Sequence, residues 1–99
     1  RIHEAWATLS EELIKWGEFQ RAKELATESA LHSRILKDAD CYGRSLLSLS
    51  SVAFVEGNSA AALKQSMMSH ACVRDMALVE KCCVHTFNIL AHFRKWEDV

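Results

Sequence analysis

Apolar residues recur every three or four positions in five successive segments of this chain. This spacing places them on one face of an α-helix, which has 3.6 residues per turn. In the first segment the face carries Ile2, Trp6, Leu9, Leu13 and Trp16. The pattern predicts five helices, over about 2–16, 19–36, 39–56, 59–74 and from 75 onward.

Residues that end or begin helices separate these segments. Gly17 and Gly57 each follow a helical pattern and can take the left-handed backbone conformation that ends a helix. Asp38 and Asn58 precede the next helical pattern, and their side chains can accept hydrogen bonds from the free amides at a helix start. Gly43 lies inside a helical segment, where it permits close helix packing or marks a later helix start. We expect Gly17 and Gly57 to lie in equivalent turns between helices.

Composition favours an all-α fold in one domain of 99 residues. Proline is absent and only three glycines occur, whereas an all-β chain needs many turns built largely from such residues. The net charge is −1 without a basic patch, which argues against nucleic-acid binding. No apolar run approaches the roughly 20 residues that span a bilayer, so no membrane association is expected. The start is no secretory signal and lacks an initiator Met, which suggests a piece of a longer protein.

The first part of the chain aligns with the second when Gly17 is superimposed on Gly57, and we call the separation of these two glycines the repeat interval. A second shift by the same interval brings Ile89 to the position of Leu9. The recurrence indicates an internal repeat. Further residues that coincide on the first shift are Leu9 with Leu49, Ser10 with Ser50, Ala22 with Ala62, Ser29 with Ser69 and Arg34 with Arg74.

The first unit resembles the tetratricopeptide repeat, whose signature places Trp, Leu-Gly, a turn Gly and Ala at fixed spacing. The matching residues are Trp6, Leu9, Gly17 and Ala22. The chain departs from the family in a repeat interval longer than the usual one of about 34 residues. It also has Ser10 where the family has Gly, and it lacks the closing Pro. The resemblance implies an α-solenoid of antiparallel helical hairpins. Residues 1–99 would form one segment of it, with units over 2–38, 39–75 and, incomplete, 76–99.

Such arrays bind other proteins and do not carry out chemistry. The resemblance therefore implies an interaction scaffold for a partner peptide, a partner helix or neighbouring repeats. Arrays with such long units are similar to those in large intracellular scaffolds, including axonemal proteins of cilia. The alternative function is a purely architectural spacer in a large assembly. In the family, the first helix of each unit lines the peptide groove, and the corresponding residues here are Ala7, Glu11, Leu47, Ser51, Phe87 and Ala91.

Cysteine and histidine residues suggest a distant third function, a zinc site or a Cys–His enzyme. Cys82-Cys83-x-His85 has Cys72 and His92 nearby in sequence. Adjacent residues on a helix point about 100° apart, which hinders ligation of one ion by both cysteines. No Gly-rich turn supplies an oxyanion hole for a cysteine nucleophile. We therefore expect no catalytic residue, no cofactor, no metal and no small-molecule substrate.

The four cysteines lie in helix-forming apolar stretches, where free cysteine behaves as a small hydrophobic residue. We expect all of them to be reduced, as in an intracellular compartment. Cys83 continues the apolar face of the fifth helix and is expected in the core, with Cys82 at its edge.

The same pattern predicts the core. Leu9, Leu13, Leu49 and Ala22 are expected to be buried. The methionines at 67, 68 and 76 are expected to fill gaps between the fourth and fifth helices, and the alternative is that they form a soft surface for binding a partner. The fifth helix has no following helix in this chain, so its apolar face is expected to stay uncovered. The isolated segment should then be marginally stable and self-associate or bind an adjacent segment. That face consists of Met76, Val79, Cys83, Phe87, Leu90 and Phe93.

Overall fold

The computed structural model describes the backbone of residues 1–97 and the side chains of residues 1–94. These residues form helices and turns without any strand, which confirms the prediction of an all-α fold with five helices. The helices are α1 (Ile2–Lys15), α2 (Phe19–Ile35), α3 (Ala39–Val55), α4 (Ser59–Cys72) and α5 (Met76–Glu97).

Each helix packs against the next along the chain, and α3 contacts all four of the others. The first three connections span only three residues each, so consecutive helices run antiparallel. In addition, α1 packs on α3 and α3 on α5, which places the three odd-numbered helices next to one another. The molecule is elongated, with extents of 46 × 27 × 19 Å.

Three connections between helices share one backbone geometry. Gly17 and Gly57 have φ values of 81° and 87° in the turns after α1 and α3, as predicted. Lys37 occupies the same place after α2 with φ 58°, although a non-glycine residue is strained there. In each turn an amide donates to a carbonyl five residues earlier, as helix C-termini often do. The pairs are Glu18 to Leu13 at 2.9 Å, Asp38 to Ser33 at 2.9 Å and Asn58 to Ala53 at 2.8 Å.

The connection from α4 to α5 is different. Val73 leaves α4 in an extended conformation, with ψ 143°. The carboxylate of Asp75 then accepts hydrogen bonds from the amides of Ala77 and Leu78 and caps the start of α5. Asp40 of α3 accepts hydrogen bonds from the amides of residues 74 and 75 and so fixes the connection to α3.

Most of the buried residues in the described part of the chain are small. Ala22, Ala26 and Ala62 are fully buried, and nine of the buried residues are serine or histidine. Among the residues described, every buried serine hydroxyl except that of Ser33 bonds to another helix, since an unpaired buried polar group is costly. Ser29 of α2 donates to the carbonyl of His3 in α1, and one repeat interval later Ser69 of α4 donates to the carbonyl of Gly43 in α3, both at 2.7 Å.

Gly43 permits the close approach of α3 and the end of α4. A Cβ atom at this position would collide with the Cγ1 of Val73 and would lie 3.4 Å from the hydroxyl of Ser69. The glycine inside the helix is therefore explained by packing and does not mark a helix start.

The predicted core of the first two units is partly wrong. Ala22 is buried as expected, but Leu13 and Leu49 are only half-buried and Leu9 is 48% exposed. The buried stripe of α1 is instead His3, Ala7 and Ser10. Ala7 and Ser10 are small and let α1 approach its neighbours closely, which leaves Leu9 at the outer edge of the contact.

The predicted orientation of α5 is also wrong. Cys82 and Ile89 are fully buried, whereas Cys83 is exposed. Each residue turns a helix by about 100°, so the buried stripe lies one position before the apolar face assigned from the sequence. The methionines at 67, 68 and 76 are exposed and fill no gap in the core.

Candidate functional site

An apolar groove of about 610 Å³ lies between α4 and α5. Two of its large apolar members are strongly exposed, Phe87 at 70% and Met67 at 59%. Burial of these exposed apolar side chains by another surface would be favourable. The groove is lined by Leu63, Met67, His70, Ala71, Cys83, Thr86, Phe87 and Leu90.

Hydrogen bonds join α4 and α5 on the inner side of this groove. The hydroxyls of Ser66 and Thr86 are 2.6 Å apart, and the hydroxyl of Ser69 lies 3.3 Å from the thiol sulfur of Cys82. Burial raises the pKa of the Cys82 thiol above its ordinary value. Small residues therefore hold the two helices together, and the larger apolar side chains stand outside this contact.

A second, smaller cleft of about 330 Å³ lies between α1, α3 and α5. Glu11 lies at its edge and forms a two-pronged ion pair with Arg44 of α3, at 2.7 and 3.3 Å. The hydrogen bond with Glu11 raises the pKa of Arg44. The cleft is lined by Glu11, Glu12, Ile14, Lys15, Leu47, Ser48, Ser51, Lys81 and His85.

The structure separates the six groove residues expected from the family resemblance. Glu11, Leu47 and Ser51 meet in the second cleft. Phe87 lies in the apolar groove instead. Ala91 is exposed outside both cavities, and Ala7 is completely buried between helices, so its side chain lines no open surface.

His85 connects three helices at the inner end of the second cleft. The hydroxyl of Ser50 in α3 donates to the carbonyl of Ala62 in α4 at 2.6 Å and lies 2.8 Å from Nε2 of His85 in α5. Because the single hydroxyl proton is already used, Nε2 of neutral His85 must donate to the Ser50 oxygen. Burial lowers the pKa of His85.

We expect acid to destabilise the fold through His85. Its pKa in the folded chain lies below the ordinary value of 6.5, so near and below that pH the unfolded chain binds the proton more tightly. The stability contributed by neutral His85 is therefore complete above pH 6.5 and is lost as the pH falls through the folded pKa. Urea unfolding at a series of pH values measures this loss. His85→Gln keeps an amide donor for Ser50 and should show a flatter pH profile, whereas parallel profiles would contradict the assignment.

A third cluster contains groups that can ligate a metal. His3, Asp38 and Cys41 each place one ligand atom within 4.8 Å of the others, and no second group of this kind occurs among the residues described. A hydrogen bond from His3 lowers the pKa of Asp38, assisted by the amide of Cys41. The residues considered for zinc from the sequence do not converge in this way. Cys82 bonds Ser69, Cys83 is exposed, His85 bonds Ser50, and all four cysteines are free thiols.

Sequence reasoning identified some of these site residues and missed others. Met67, Phe87 and Leu90 stand in the apolar patterns of their helices, but the pairing of those two faces into one groove depends on the orientation of α5. His70 was missed because nothing in its local sequence marks it. His3 and Asp38 are 35 residues apart, so no spacing rule brings them together.

None of the helices within the described part of the chain is long and apolar enough to cross a membrane. Comparison with protein families, curated proteins and solved structures found no match to the chain, so its function must be inferred from its own geometry.

Proposed function

We propose that this chain is a protein-interaction segment of a tetratricopeptide-like helical array, and that its apolar groove binds an amphipathic α-helix of a partner protein. The observation that carries the proposal is the groove itself, about 610 Å³ in volume and lined almost entirely by apolar side chains of α4 and α5. Grooves between helices that expose such side chains are a common way to bind a helical peptide.

Contacts that recur at the repeat interval support the array. The turns at Gly17 and Gly57 have matching φ values and matching hydrogen bonds. Ser29 and Ser69 donate to the carbonyls of His3 and Gly43, and both the donors and the acceptors are one repeat interval apart. In both complete units, therefore, the second helix is hydrogen-bonded to the first helix in the same way.

The same correspondence indicates what the groove binds. Gly43 and Ser50 of α3 are covered by α4, through Ser69 and the carbonyl of Ala62. A shift by the repeat interval places Cys83 and Leu90 of α5 at these positions, and both line the open groove. The face that α4 covers on α3 is therefore exposed on α5, where a helix is the element that fits. Because Leu90 is larger than Ser50, we expect the bound helix to lie farther from α5 than α4 lies from α3.

The chemistry of the groove defines the partner further. The lining has no carboxylate, lysine or arginine, and His70 is its one ionisable group besides the thiol of Cys83. A partner helix should accordingly present apolar residues at positions i, i+3 or i+4, and i+7, with its charges on the opposite face. Complete burial of a side chain such as Phe87 contributes on the order of 1.5–3 kcal/mol.

Selection from a phage-displayed library of helical peptides tests this function. We expect the selected peptides to share the apolar i, i+3 or i+4, i+7 pattern. Phe87→Asp should weaken their binding at least about 30-fold, the effect typical of a central interface residue. Fluorescence polarisation with a labelled selected peptide measures the affinity.

Ile35→Asp is the matched control, because Ile35 is as exposed as Phe87 but lies at the end of α2, away from the groove. Equal losses in the two variants would contradict the proposal, as would a library that yields no binding peptide. If sedimentation instead shows a dimer that Phe87→Asp converts to a monomer, the groove binds a second copy of the chain, and the proposal of a partner helix is wrong.

A further inference from the structure

Three different ligand types converge where α1 meets the start of α3. His3 belongs to α1, Asp38 is the residue that caps α3, and Cys41 lies in the first turn of α3. The side chains of His3 and Cys41 are 1% and 3% exposed, whereas that of Asp38 is 26% exposed. The cluster is thus almost enclosed, with Asp38 on the solvent side.

Two hydrogen bonds fix the carboxylate of Asp38. Its Oδ1 accepts the amide of Cys41 at 3.2 Å, which caps the helix, and its Oδ2 lies 3.0 Å from Nε2 of His3. One oxygen is therefore occupied by the backbone, and the other is directed at the imidazole. An ion between Oδ2 and Nε2 would leave the cap unchanged.

The surroundings of Cys41 also suit a metal ligand. Its sulfur lies 3.7 Å from the hydroxyl of Ser29 and 3.7 Å from the carbonyl of His3. Ser29 already donates to that carbonyl at 2.7 Å and accepts a hydrogen bond from Ser45 at 2.8 Å. The carbonyl therefore keeps a donor when the thiol loses its proton. Such hydrogen bonds around the ligands hold them in position for a metal.

We propose that His3, Asp38 and Cys41 form a zinc site that links α1 to α3. Imidazole nitrogen, carboxylate oxygen and thiolate sulfur are the three ligand types that zinc binds, and four-coordinate zinc leaves one position for water or an outside ligand. Binding releases the thiol proton of Cys41. It also requires the proton of neutral His3 to reside on Nδ1, so that Nε2 can bind the ion. The site contains none of the residues Cys82, Cys83 and His85 that were considered for zinc from the sequence. The proposal replaces the expectation from the sequence that no metal binds.

Titration of the reduced, metal-free chain with Zn²⁺ tests the site. We expect one equivalent to bind. At about 100 times the dissociation constant, zinc should raise the melting temperature by roughly 10 °C or more. Co²⁺ should replace zinc and give the absorption band of a thiolate bound to cobalt, which reports on the sulfur ligand directly.

Cys41→Ser removes the sulfur ligand and leaves the bond between His3 and Asp38 intact. It should weaken zinc binding at least about tenfold and abolish the cobalt–thiolate band. Cys83→Ser removes an exposed thiol far from the cluster in sequence and should bind zinc as the unchanged chain does. His3→Gln serves as a second ligand variant, and circular dichroism confirms that each variant is helical. Absence of stoichiometric binding, or equal affinity in Cys41→Ser and the unchanged chain, would overturn the proposal.

Discussion

Replacing Ile89 with alanine should lower the free energy of unfolding by about 2–5 kcal/mol, the cost of removing a large aliphatic side chain from a packed interior. Ile89 is the largest side chain that is fully buried among the residues described. It lies on the buried stripe of α5 that also contains Cys82. This loss is a large fraction of the free energy of unfolding of a typical domain, which is roughly 5–15 kcal/mol.

Phe87→Ala is the matched comparison, because Phe87 is larger than Ile89, lies only two residues away in α5, and is 70% exposed. Its replacement should change the free energy of unfolding by less than about 1 kcal/mol, as for most surface substitutions. Urea unfolding followed by circular dichroism measures both variants. If Phe87→Ala destabilises the chain more than Ile89→Ala does, α5 has the orientation expected from the sequence and the groove is not open.

Gly43→Val should lower the free energy of unfolding by about 3 kcal/mol, the upper part of the range for overpacking a core. The new Cβ collides with Val73, and the branched side chain has little rotamer freedom in a helix. Separating α3 from α4 to make room would also weaken the hydrogen bond from Ser69 to the carbonyl of residue 43.

Val73→Ala tests whether the collision with Val73 causes the destabilisation by Gly43→Val. In a double-mutant cycle, the two substitutions should be coupled favourably by at least about 1 kcal/mol, because alanine at 73 removes the atom that collides. Gly17→Ala is a control for glycine in general. The new Cβ at residue 17 meets open space, and the substitution is disfavoured only by the φ of 81°. It should therefore lower the free energy of unfolding by about 1 kcal/mol, whichever residue occupies position 73. Additive effects of Gly43→Val and Val73→Ala would contradict the packing explanation.

The elements of the fold were predictable because their signals are local. Helical periodicity predicted five helices whose ends differ from the observed ones by only a few residues, and glycine marked the two turns that it occupies. The turn at Lys37 carries no such signal, since lysine rarely adopts a positive φ and does so here because packing on both sides determines the chain path.

The burial of single residues was less predictable because it depends on neighbouring helices. The apolar pattern of α1 alone predicts that Leu9 is buried, but α1 contacts its neighbours through Ala7 and Ser10 instead. Likewise, the orientation of α5 follows from the extended residue Val73 and the cap at Asp75, which change the path of the chain. The groove and the His3 cluster both result from such long-range arrangements, so their members could be named from the sequence only in part.

The buried serines have a consequence for how the helices can move. Apolar side chains tolerate small displacements, whereas a hydroxyl bonded to one carbonyl has a defined donor direction and distance. Sliding α2 along α1, or α4 along α3, by one helical turn of about 5.4 Å would remove Ser29 and Ser69 from their acceptors. Each helix pair should therefore resist shear, so that a force that pulls on α1 displaces α2 with it, and a force on α3 displaces α4.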